Sequence, residues 1–170
     1  MLSENMTDAL NNQLNKEVYS AYLYMSMSAY SSYSGLKGFA NWFMVQYQEE
    51  MAHAMKIYDY IDSQGQQVKL MAIDQPPTEF ESSLDMFEKT LKHEQFVTKS
   101  INDLVDLAIS EKDHATNIFL QWFVTEQIEE EGNDNEILSR LRIVGEDGNG
   151  LLMVDKELSA RVFTPPGATE

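Results

Sequence analysis

The 170-residue chain contains no cysteine. Disulfide staples, CxxC metal sites and thiolate nucleophiles are therefore all excluded. Basic residues are few as well: 12 Lys and Arg stand against 28 Asp and Glu, a formal net charge of −16 at pH 7. So acidic a surface argues against nucleic-acid backbones and membranes as partners and favours cations. Uncharged apolar runs of the ~18 residues that a membrane span needs are missing. Near the N-terminus Glu4, Asp8, Lys16 and Glu17 interrupt any apolar run, so no signal peptide is expected. The expected location is the cytoplasm, with a trimmed organellar transit peptide as the alternative. A chain of this length has room for one core and one domain.

Glycine (8) and proline (4) are sparse and clustered, which leaves four long uninterrupted segments, at roughly 3–33, 38–64, 82–110 and 113–145, each predicted to be a helix. Ser34 to Lys37 and Ser110 to Asp113 are short connections, so each helix pair is antiparallel. The middle connection, Gly65 to Glu81 with Pro76-Pro77 inside it, spans roughly 55 Å when extended. A helix of about 27 residues is only about 40 Å long. The connection can therefore run the length of the molecule and leave the second and third helices parallel. The expected class is all-α, a four-helix bundle with one long crossover. Leu151, Val154, Leu158 and Val162 suggest a short fifth helix, and residues 163–170, with Pro165-Pro166, a flexible tail after a domain of residues 1–162.

Steps of 3 and 4 residues define the inward stripe of each helix. The first stripe reads Leu10, Leu14, Glu17, Ala21, Tyr24, and the second Phe39, Phe43, Gln46, Glu50, His53, Ile57, Tyr60. The third reads Leu84, Phe87, Leu91, Glu94, Thr98, Ile101, Val105, Ala108, and the fourth Thr116, Leu120, Phe123, Gln127, Glu130, Asp134, Ile137, Leu141. Every stripe carries a carboxylate at similar depth, and none carries a Lys or Arg to pair with it. Buried carboxylates without counter-charge are costly, so protonation or metal must relieve them. Glu17, Glu50, Glu94 and Glu130 sum to −4, which two divalent ions neutralise while His53 serves as a neutral ligand. Glu50 and His53, three residues apart, share one helix face. An oxygen-rich set with one imidazole suits iron or manganese better than structural zinc.

With these residues in view the chain resembles the ferritins, and most closely the bacterial non-haem ferritins, over residues 1 to 162. Ferritin-like di-iron bundles place one Glu on each of two helices and a Glu-x-x-His on each of the others. Glu17 and Glu94 match the single glutamates and Glu50-Met51-Ala52-His53 one full motif, while Gln127-Ile128-Glu129-Glu130 replaces the second by the ferritin variant Gln-x-x-Glu.

The resemblance implies one iron held by Glu17, Glu50 and His53 with Gln127 as a nearby hydrogen-bonding residue, and a second held by bridging Glu50 with Glu94 and Glu130. It further implies a third, weaker iron site on Glu49, Glu126, Glu129 and Glu130, and it matches Tyr24 to a family tyrosine beside the pair. The implied activity is that of a ferroxidase and iron store, which oxidises Fe(II) to Fe(III) with dioxygen or hydrogen peroxide and keeps the mineral inside a homo-oligomeric shell of about 24 subunits.

Haem is not expected, although Met51 stands where bacterioferritins carry their haem ligand. The carboxylates that line the three-fold channel of animal ferritins are replaced here by Asn117 and Leu120, and the later mineral-nucleating positions by Ala52 and Met55. His93 and His114 are expected on exposed faces. Two other functions stay open on the residues alone: a metal-free bundle that binds a partner through its helices, and a monomeric di-iron oxygenase.

Overall fold

The computed structural model describes residues 2–145 and 147–165. Five helices follow in order: α1 (Glu4–Tyr33), α2 (Lys37–Ser63), α3 (Ser83–Ser110), α4 (His114–Val144) and α5 (Gly148–Leu158). Side-chain oxygens close four of the five N-termini: Ser3, Ser82, Asp113 and Asp147 each accept from backbone N–H groups of the first turn. α2 is preceded by Leu36, which has no such oxygen. Its first N–H groups are held from a distance instead, Gly38 and Phe39 donating to Asp155 Oδ1 of α5 at 2.8 and 3.0 Å. Gly38 is required there, because a Cβ would lie 1.6 Å from the Asp155 carbonyl oxygen. The α1–α2 turn uses Gly35 at φ 85°, a conformation that costs glycine little.

Cross-helix pairs set the topology. Ser3 meets Glu111, Ser20 meets His93 and Ser31 meets Met86, so α1 and α3 run antiparallel. Gln46 meets Glu130 and Tyr60 meets Thr116, so α2 and α4 do too. The crossover climbs beside α1, and its carbonyls at Gln67, Ala72, Pro77 and Phe80 accept from Asn11, Asn15, Ser26 and Tyr30 in turn. The expected bundle with one long crossover and a short fifth helix is therefore the observed one. Among the described residues no helix is long and apolar enough to cross a membrane.

Two details depart from the expected pattern. On α3 the expected Leu84, Leu91, Thr98 and Val105 are only half-buried, while Met86, Thr90, Val97 and Leu104 are buried. The seam is turned toward α1, where Thr90 and Met86 meet Met27 and Ser31, and the α4 flank keeps an open groove lined by Thr98, Ile101, Val124 and Gln127. On α5, Val154 and Leu158 are buried as expected, but the helix stops at Leu158 and Val162 is 79% exposed. Residues 161–165 have no regular structure, and the rest of the expected tail, 166–170, lies outside the described residues.

The interior falls into two apolar clusters. One gathers Tyr24, Phe39, Trp42, Phe43, Phe87 and Leu138; the other gathers Leu10, Leu14, Ile57, Ile101, Leu120 and Phe123. The buried carboxylates Glu17, Glu50, Glu94, Glu130 and Asp134 fall between these two groups along their helices, so interior charge is confined to a belt with apolar material above and below.

Candidate metal centre

Glu17, Glu50, His53, Glu94, Gln127 and Glu130 are all buried and meet in that belt. Glu17, Glu50 and His53 present ligand atoms that all lie within 4.8 Å of one another. His53 Nδ1 is 3.5 Å from Glu50 Oε2, the contact expected of residues three apart on one helix. Across the belt, Gln127 Nε2 donates to Glu94 Oε2 at 3.0 Å, and the Tyr24 hydroxyl donates to Glu94 Oε1. Gln46 Nε2 donates to Glu130 Oε2 at 2.9 Å, and Gln13 Nε2 to Glu17 Oε1 at 2.7 Å. Behind Gln13, Ser100 and then Lys16 continue the chain of donors toward the surface. Amide and hydroxyl donors thus orient the carboxylates without neutralising them; Glu17 and Glu130 each accept at one oxygen, while both oxygens of Glu94 accept.

Electrostatics give the same picture. Burial pushes the Glu94 carboxyl up to about 7, with its Tyr24 and Gln127 hydrogen bonds holding it down and Glu17 adding repulsion. Burial and then the charges of Glu94 and Glu49 take Glu130 to about 8. Glu50 is raised well above the carboxylate range by burial and by Glu94, Glu17 and Glu130. Tyr24 is likewise held protonated by burial and by Glu94. A site that pulls protons onto carboxylates near neutrality is one from which divalent cations can displace them.

The residues expected to form a third site lie to one side. His53, Glu126 and Glu130 make a second group of ligand atoms within 4.8 Å of one another, and His53 thus borders both groups. Burial raises the carboxyls of Glu49 and Glu126. Glu129 is exposed. Glu49 carries a partner that no stripe contained: Arg161, from the segment after α5, donates from Nη2 to Glu49 Oε2 at 2.6 Å.

Two further stripe residues, Asp134 and Gln46, border the site. Asp134 is completely buried, and neither of its carboxyl oxygens has a partner among the described residues. Burial, then Glu94 and Glu130, push it up to about 9. Gln46 was on its stripe as a seam residue and acts as a donor to Glu130.

His93 is not on an exposed face. It is half-buried, 2.7 Å from Ser20 Oγ and edge-on to Tyr24, and burial pulls it down to about 4. His114, at the start of α4, is exposed as expected. Leu120 is fully buried among core residues and Asn117 is half-buried. Met51 lies half-buried in an apolar groove of ≈ 390 Å³ with Leu14, Val18, Met55 and Tyr58.

An interior belt of carboxylates and one histidine in a bundle of this connectivity defines the ferritin-like class of metal-binding folds. Comparison with known proteins agrees, since a match to the ferritin-like domain family covers residues 7–144 and the chain belongs to that family. The bacterial non-heme ferritin of Staphylococcus saprophyticus is 45% identical over 163 residues, 96% of this chain and 98% of that protein. The Staphylococcus aureus protein of the same name is 42% identical over the same shares. Among solved structures, an Archaeoglobus fulgidus ferritin engineered to a closed form superposes with a TM-score of 0.95 at 53% identity, covering 96% of this chain and 100% of that one. The open-pore ferritin of the same archaeon superposes with a TM-score of 0.95 at 52% identity, covering 95% and 100%.

Proposed function

We propose that this chain stores iron and is a ferroxidase, acting as one ferritin-like domain over residues 1–162 with 163–170 as a tail. The observation that carries the reading is the meeting of Glu17, Glu50 and His53, with ligand atoms within 4.8 Å of one another, beside buried Glu94 and Glu130. Iron is substrate and cargo here. Glu17, Glu50 and His53 hold one Fe(II), and Glu50, Glu94 and Glu130 the other, with Glu50 shared. Two metals held by one carboxylate lie close enough for a single oxidant to take one electron from each. Gln127 and Tyr24 keep Glu94 turned toward the second ion, Gln13 does the same for Glu17, and the two apolar clusters keep bulk water from the belt. Dioxygen or hydrogen peroxide is the oxidant, and the mineral is kept in a cytoplasmic homo-oligomeric shell. Glu49, Glu126, Glu129 and Glu130, with His53 at their edge, make up the third site.

Fe(II) added to the metal-free protein in air tests the reading. Rapid growth of ferric absorbance in the near ultraviolet is expected in wild type and not in Glu50→Ala. Equal rates in the two proteins would refute the assignment. Size-exclusion mass distinguishes a shell from a monomeric oxygenase. For the third site, Glu49→Ala with Glu129→Ala is expected to change the ratio of iron to dioxygen consumed or the recovery between additions. Identical stoichiometry and recovery would remove that site.

A further inference from the structure

Arg161 is delivered to the acidic belt by a docked segment. Asp155 binds the α2 N-terminus, and Asn41 Nδ2 of α2 donates to the Arg161 carbonyl at 2.9 Å, so the backbone that carries the arginine is tied at both ends of its approach. The guanidinium stacks on Trp42, with Cζ 4.6 Å from the ring centroid, and donates to Glu49 at 2.6 Å; both side chains are only 21% exposed. A cation over an aromatic face that also makes a charge-assisted hydrogen bond to a carboxylate is firmly held. Glu49 precedes Glu50 and repels Glu126 and Glu129. The cation that holds Glu49 therefore sits where an ion using Glu49, Glu126 and Glu130 would need that carboxylate.

We propose that Arg161 is a tethered cation that occupies Glu49 in the metal-free protein and must release it for an ion to bind the outer site, so that this residue sets the affinity of that site below that of the inner pair. The inference rests on the third-site reading above and deepens it. Fixed positive charge acts in the same direction as the lost ligand, since a unit charge beside a partly buried divalent ion lowers its affinity by about tenfold or more. Glu17, Glu50 and His53 are not bonded to Arg161 and escape this competition.

Zn(II), which is redox-silent, is titrated calorimetrically into the full-length metal-free protein, and crystals are solved with and without Zn(II). Arg161→Met keeps the stem over Trp42 and removes the charge; Arg161→Lys keeps the charge. The expected result is a third Zn(II) in wild type that binds at least tenfold more weakly than the first two, tightens about tenfold in Arg161→Met with the first two steps at wild-type affinity, and stays weak in Arg161→Lys. In Glu49→Gln, adding Arg161→Met should tighten the third ion by less than it does in the wild-type background, because only the through-space charge is removed and there is no carboxylate to release. Wild-type crystals should show the Arg161–Glu49 bond broken only in the Zn(II) form, a readout that needs no variant to fold.

Three ions in wild type with unaltered third-step affinity in Arg161→Met, or an intact Arg161–Glu49 bond beside a bound third ion, would overturn the proposal and spare the third site. Two ions in both proteins would overturn the third site and the proposal with it.

Discussion

Asp134→Asn should stabilise the metal-free protein, and should do so only above mildly acidic pH. The buried carboxyl has no hydrogen-bond partner among the described residues and is pushed up to about 9, chiefly by burial, against an ordinary value near 4. The folded state therefore keeps a proton that the unfolded chain releases between about pH 4 and 9. Because the native state binds more protons there, stability falls as pH rises through that window. At pH 8 the cost of holding the proton is at most roughly 6 kcal/mol, from about 1.4 kcal/mol per unit of pH above the unfolded value. Asparagine has nearly the same shape and no proton to lose. The variant is expected to exceed wild type by about 2 kcal/mol at pH 8, which is roughly 6 °C in Tm for a chain of this size, and to converge with it near pH 4. Thermal melts of chelator-treated protein at matched concentration, followed by Trp42 and Trp122 fluorescence, measure both numbers. A variant equal to or less stable than wild type at pH 8, or a gain that does not change with pH, would refute the reasoning.

Zn(II) should raise Tm in a concentration-dependent way, by about 2.7 kcal/mol of added stability at a hundredfold excess over Kd. The gain should be larger at pH 8 than at pH 5, where the ion must displace protons from Glu50, Glu94 and Glu130; a shift independent of pH would argue against these ligands. Glu94→Ala should slow the fast phase of iron oxidation by more than about tenfold, since it removes a ligand. Stopped-flow absorbance at the wild-type rate would exclude Glu94 from the centre. Gly38→Ala should destabilise by about 2 kcal/mol and loosen α5, because the added methyl meets the Asp155 carbonyl; proteolysis of the C-terminal segment should quicken, and unaltered resistance would show that α5 docks without this contact.

The stripes already contained the four glutamates, His53 and Gln127, because helical periodicity converts spacing into a shared face and a carboxylate on such a face has few alternatives to metal. The crossover was legible from length alone, since 17 residues outreach a helix. Asp134 stood on its stripe in plain view, yet its isolation could be known only once its neighbours were in place. The same holds for the α3 seam: Leu91 and Val97 are equally apolar, and the buried one is decided by where α1 lies. Arg161 shows the limit most clearly. Periodicity compares residues within one helix, and nothing local to residue 161 announces that its guanidinium will reach Glu49, 112 positions earlier. That pairing is made by Asp155 and Asn41, which tie α5 and the segment after it to α2. Helical spacing alone places these carboxylates at a shared depth, whereas packing of the helices and the C-terminal segment settles which of them keeps a proton and which is held by a cation.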